Sequence, residues 1–219
     1  MITPADEAYK ATKLLLQGNS ELAYPCDRMA AWISKIWNSR VLNVVYERVG
    51  PTAIPRLEVV LEDHADVERF CVGPLQYDTR KQNAIATKFL KLIADVPDGT
   101  FEVDRLFVIF SAFAPIAREE ADNHLTKSDI ANLLVRIGNP DLWTINRFSG
   151  HATFFFYTEE QVARYKVVGL EEEYAHRYYY LVKPYDEFGY LSLDDYRINF
   201  DSKENFDKKF QSSWFYYYR

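Results

Sequence analysis

The side chains able to act as acid, base or ligand gather in one stretch. Residues 117–125 (AREEADNHL) carry Arg118, Glu119, Glu120, Asp122 and His124, and Asp129 follows shortly after. A carboxylate beside an imidazole can hold it as a general base, and two carboxylates with an imidazole can bind a divalent cation. His124, Glu120 and Asp122 are therefore the candidate catalytic residues of a small hydrolase, in one version metal-assisted. The competing account is a solvated polar connection that does no chemistry. His64, His124, His151 and His176 form no His-Glu-x-x-His pair or other zinc spacing, so no preformed metal site is expected. No Gly-rich phosphate loop, dinucleotide fingerprint or Gly-x-Ser-x-Gly elbow occurs, and no cofactor is expected.

A second concentration lies nearer the C-terminus. Glu171, Glu172, Glu173, Asp186, Glu187, Asp194 and Asp195 surround Tyr178, Tyr180 and Tyr190. Tyr anchors protein interfaces well, because it brings a large apolar ring with a polar tip. A carboxylate rim around such rings selects a basic partner and speeds its approach. These residues predict a protein-binding surface of the kind used by immunity proteins, inhibitors or adaptors, a comparison of character and not of motif. Two accounts thus stand, a non-catalytic binding protein and a hydrolase around His124, and binding is preferred. A third possibility places the aromatic end, Trp214–Arg219, in a homo-oligomer interface.

Composition narrows the partners. The net charge is −6, and the longest basic pieces are the pairs Arg80–Lys81 and Lys208–Lys209, so nucleic acid is not an expected partner. No run of about 18 apolar residues is present, and the opening Met-Ile-Thr-Pro leads into a polar helix, so a cytoplasmic protein away from membranes is expected. Cys26 and Cys71 match no metal or redox spacing and are expected as buried thiols.

The elements that must position these residues follow from periodicity. Helices are expected over 4–17, about 25–38, about 81–94 and 128–137, with Cys26, Met29, Ala30, Ile33, Ile36 and Trp37 forming the buried face of the second. Strands are expected at about 41–49 and 56–62, the latter with one buried face, and Leu106–Phe110 is expected as the central strand because it is apolar throughout. A loop is expected at 72–79. A hairpin over 142–157 should turn at Ser149-Gly150, and Thr126 with Asp129 and Thr158 with Gln161 should form capping boxes. A further hairpin is expected from 176–184 and 190–200, followed by a last helix with Phe206, Phe210, Trp214 and Tyr217 on one side.

Three times a short strand enters a polar cap and a helix ending on a ring, at 56–70, 152–165 and 196–210. The stretch Phe148–Tyr165 resembles the hairpin-to-helix passage of ferredoxin-like modules. The expected architecture is one α+β domain over 1–219, with pseudo-repeat halves at 20–100 and 101–219. Its sheet should be largely antiparallel, with helices packed on it in recurring strand-strand-helix units.

Overall fold

The computed structural model describes residues 3–74, 76–97, 99–194 and 196–219. The fold is α+β, and the chain forms two compact units, Met1–Ile116 and Ala117–Arg219. Among the described residues no helix is long and apolar enough to cross a membrane.

In the first unit, α1 (Glu7–Leu16) and α2 (Cys26–Trp37) precede the antiparallel hairpin β1 (Val41–Val49) and β2 (Ile54–Leu61). The short α3 (His64–Glu68), capped by the Asp63 carboxylate, is followed by β3 (Cys71–Gly73) and β4 (Gln76–Tyr77). The expected loop at 72–79 therefore contains a small antiparallel pair. The long helix α4 (Thr79–Ile93) leads to β5 (Phe107–Ala112), which lies parallel to β2. The sheet order β1-β2-β5 corrects the strand reading: β2 is central, whereas 106–110 supplies an edge. Leu57, Val59 and Leu61 face α2 and α4 in one core, while Glu58 and Val60 point the other way and are buried too. The second face is covered by α1, whose Thr12 hydroxyl accepts a 3.1 Å bond from Asn43 and whose Tyr9 stacks on Phe113. Met29, Ala30 and Ile33 line the core as expected, but Ile36 is 54% exposed.

The boundary between the units falls inside α5 (Ala114–Asn123). Residues 117–125 are thus mostly helical rather than an irregular connection. The second unit then runs α6 (Lys127–Ile137), the antiparallel hairpin β6 (Leu142–Phe148) and β7 (His151–Phe156), and α7 (Glu159–Val167). After α8 (Leu170–Val182) and a 3-10 turn at Lys183–Tyr185 comes β8 (Asn199–Ser202), parallel to β7, then α9 (Lys203–Phe210) and α10 (Trp214–Tyr217). Both expected capping boxes are present.

The expected hairpin of 176–184 with 190–200 is corrected. Residues 176–182 belong to α8, where Tyr174, Tyr178 and Val182 recur every fourth position and bury one helix face. Of the second arm only Asn199–Ser202 is strand. The C-terminal helix is also broken in two, because Gln211 and Ser212 both adopt positive φ.

The two units share one topology. Each has a helix, a hairpin with a register shift near its start, a short helix, a long helix and a strand parallel to the second hairpin strand. The junctions agree bond for bond: Glu62 N donates to Arg40 O at 3.0 Å and Tyr157 N to Asp141 O at 3.1 Å. Ala114 N donates to Glu62 O, as Glu204 N does to Tyr157 O. The covers differ. In the second unit the far face of the sheet is roofed by rings from the chain's end, with Phe155 against Phe206, Trp214 and Tyr217, and Tyr218 stacked 4.5 Å from Phe148.

Candidate functional site

The end of α5 holds Glu120 and Asp122, His124 follows directly after it, and the helical path sends them apart. Positions two residues apart lie on opposite sides of a helix, so Asp122 faces the core while Glu120 and His124 share the outer side. Asp122 is buried; its Oδ1 accepts the Tyr178 hydroxyl at 2.5 Å and its Oδ2 lies 3.4 Å from Arg147 Nη1. Arg147 also donates to the carbonyls of Asp122 (2.6 Å) and Leu125 (3.0 Å), tying the end of α5 to β6. His124 turns outward, with Nδ1 2.8 Å from Glu120 O and its ring stacked on Tyr185. The catalytic set is therefore not assembled as one site, because the Asp122 carboxylate is held inside by Tyr178 and Arg147. Among the described residues no three His, Cys, Asp or Glu side chains come together in a metal-binding group.

Asp122 and Arg147 border an open cleft of about 380 Å³, with Lys127, Asn146 and Phe148 among its other walls. Burial, then the Asp122 charge, pushes the Tyr178 hydroxyl well above the ordinary tyrosine range, and the same two causes act on Tyr196. A phenol that keeps its proton beside a carboxylate is a fixed hydrogen-bond donor, which orders the helix end and the strand. Sequence reasoning missed Arg147 and Tyr196. The alternation of β6, with Ile145 inward and Arg147 on the same side, was the available signal for Arg147.

The acidic, tyrosine-rich set is redistributed by α8. Tyr178 leaves the surface set because it is fully buried against Phe154 and Asp122. Asp186 is also structural: its carboxylate accepts from Lys183 Nζ and from the backbone N–H groups of Tyr190 and Leu191, with only 4% of its side chain exposed. Tyr190 is half-buried close to Phe188. Glu171 pairs loosely with Lys166 at 3.7 Å, Glu187 and Asp194 are exposed, and Asp195 lies outside the described residues. What remains together is one side of α8: Glu172, Glu173, His176, Arg177 and Tyr180 fall within about 140° of the helix circumference. Tyr180 is 64% exposed and rests edge-on against Tyr179, and Arg177 bridges Glu173 at 2.7 Å and the Arg136 carbonyl.

A further buried acid escaped the sequence. Glu58, inside β2, is fully buried; Arg56 Nη2 lies 3.3 Å from Oε2, and neither carboxylate oxygen receives a hydrogen bond. Burial raises its pKa, against the pull of the neighbouring Ser111 hydroxyl and the Arg56 charge. Val60, the apolar residue on the supposed polar side of β2, was the sign that this face is covered as well. The thiols of Cys26 and Cys71 are free and half-buried rather than enclosed, and burial pushes the Cys26 thiol up to about 11. Comparison of the chain with protein-family models, curated proteins and solved structures finds no match.

Proposed function

We propose that this chain is a non-catalytic, cytoplasmic protein-binding protein, immunity-, inhibitor- or adaptor-like, and that it grips a basic partner with the exposed side of α8. The observation that carries the proposal is Tyr180, a large ring 64% exposed on a helix whose other tyrosines, Tyr174, Tyr178 and Tyr179, are buried. Those three rings lock the helix, so Tyr180 is presented from a rigid base and loses little freedom on binding. Glu172 and Glu173 stand two turns before it on the same side, supplying a carboxylate rim for a cationic surface. Rigid aromatic anchor and acidic rim together match the anatomy of a binding hot spot. The hydrolase account loses its second carboxylate, since Asp122 is bound to Tyr178 and Arg147 inside the unit.

The test is affinity capture with the tagged chain and with two variants, Glu172→Lys/Glu173→Lys and Tyr180→Ala. A stoichiometric basic partner held by the parent chain and lost by both variants is expected. Equal capture by all three proteins would contradict the assignment of this face.

A further inference from the structure

The helix pair α2 and α4 occupies in the first unit the place that α6 and α8 occupy in the second, packed on the same face of an equivalent sheet. The exposed sides of α4 and α8 are thus counterparts, yet their charges are opposite. Helix α4 (TRKQNAIATKFLKLI) contains no acid, and Arg80, Lys88 and Lys91 fall within about 80° on its outer side. Among the described residues none of these three has an ion-pair partner. In a chain of net charge −6 a stripe of unpaired cations is an exception. Lys91 lies in the last turn, where the helix dipole favours a cation, but helix stability does not account for Arg80, which sits in the first turn, where the dipole disfavours one. Beside the stripe runs an open groove of about 490 Å³ lined by Trp32, Asn83, Ala84, Thr87, Lys88 and Lys91. Lys88 Nζ stands 6.0 Å from the Trp32 ring, and Ile36 is exposed one turn further along α2.

We infer that the acidic side of α8 docks on the basic α2–α4 face of a second copy of this chain, head to tail. The inference rests on the proposed binding role of α8 and names its partner. The groove offers Lys88 and Lys91 for Glu172 and for Glu173, which already pairs with Arg177, and Trp32 for the Tyr180 ring, with Arg80 and Ile36 exposed beside it. The lengths agree, with Glu172 to Tyr180 spanning about 12 Å and Arg80 to Lys91 about 16 Å along their helices. Lysines on flexible stems, with no backbone N–H cradle or glycine turn in the groove, suit spread carboxylates better than one compact phosphate. Since the two faces differ, the contact is heterologous.

Sedimentation velocity over a concentration series tests this, with Lys88→Gln/Lys91→Gln and Glu172→Gln/Glu173→Gln as variants. All four positions are on the surface, and unchanged melting confirms that the variants fold. The parent chain should associate with rising concentration at low salt and revert to monomer at about 0.5 M salt. Each variant alone should stay monomeric. An equimolar mixture of the two should stop at a dimer, because it joins one intact acidic face to one intact basic face. A monomeric parent chain, a mixture that does not associate, or assembly that persists in both variants overturns the inference. If the parent is monomeric while Glu172→Lys/Glu173→Lys still abolishes capture of a different basic protein, this inference fails and the binding role of α8 stands. Preferential binding of a single-stranded oligonucleotide over association of copies would assign the groove to phosphate and overturn it likewise.

Discussion

Tyr178 donates its hydroxyl to Asp122 at 2.5 Å, with both side chains buried, and so links the middle of α8 to the end of α5. A buried carboxylate deprived of its donor keeps its desolvation penalty, which sets the size of the effect. Tyr178→Phe should lower the unfolding free energy by about 2 kcal/mol. Asp122→Ala should cost about 3 kcal/mol, because it leaves the Arg147 charge unmatched. The double variant should lose less than the sum, as urea denaturation of all four proteins would reveal. By contrast His124→Ala, at an exposed helix end, should stay within about 0.5 kcal/mol of the parent.

Alkaline pH should act through the same hydroxyls. Burial raises the proton affinity of Tyr174, Tyr178, Tyr196 and Tyr217 in the folded chain relative to an ordinary tyrosine at 10.0. The stability they contribute is complete below that pH and is lost above it, because the unfolded chain releases protons that the folded one retains. Melting temperature should therefore be flat up to about pH 10 and fall beyond it, as these buried hydroxyls lose their protons only on unfolding. A melting temperature that stays flat well above pH 10 would contradict these burial assignments.

The acid inside β2 should behave in the opposite sense to a stabilising carboxylate. Because Glu58 has a raised pKa when folded, ionising it disfavours folding. Glu58→Gln should therefore be more stable than the parent at pH 7, and the gain should shrink to nothing as the pH falls below the unfolded value of 4.5. Melting curves across that range check the sign. A Gln variant less stable at neutral pH would mean that the Arg56 ion pair outweighs burial.

These two buried acids also explain where the fold was legible in the sequence and where it was not. The hairpins β1–β2 and β6–β7 and the helices α2, α4 and α6 follow apolar periodicity and explicit caps, such as Thr126 with Asp129, and are found where expected. Helix α5 looked like a connection because Asp122 occupies an inward position, so a core residue counted as polar. Glu58 disguised β2 in the same way, making the central strand resemble one with a wet face. For α8 the error had another source. His176 to Val182 is rich in β-favouring Tyr, whereas the fourfold recurrence of Tyr174, Tyr178 and Val182 and the three acids after Gly169 carried the helical signal. Once α8 is a helix, Tyr178 and Tyr180 no longer share a face, which is why only part of the predicted surface survives.

The C-terminal rings divide into anchors and free groups. Trp214 packs 4.1 Å from Phe206 and 5.2 Å from Phe155, whereas Phe215 is 68% and Tyr216 48% exposed. Trp214→Ala should cost about 3 kcal/mol. Phe215→Ala and Tyr216→Ala should each stay within about 0.5 kcal/mol. If the chain's end instead mediates oligomerisation, the Phe215 and Tyr216 variants would change the sedimenting mass while leaving the melting temperature unmoved.

The central claim is that the α8 face captures a basic partner by charge and anchors it by Tyr180. The most direct measurement is the binding kinetics of the captured partner against the parent chain, Glu172→Lys/Glu173→Lys and Tyr180→Ala at low and high salt. Charge reversal should slow association by about tenfold or more and flatten its salt dependence, and Tyr180→Ala should act mainly by faster dissociation. Rates unchanged in both variants would contradict the account and place the binding face elsewhere on the molecule.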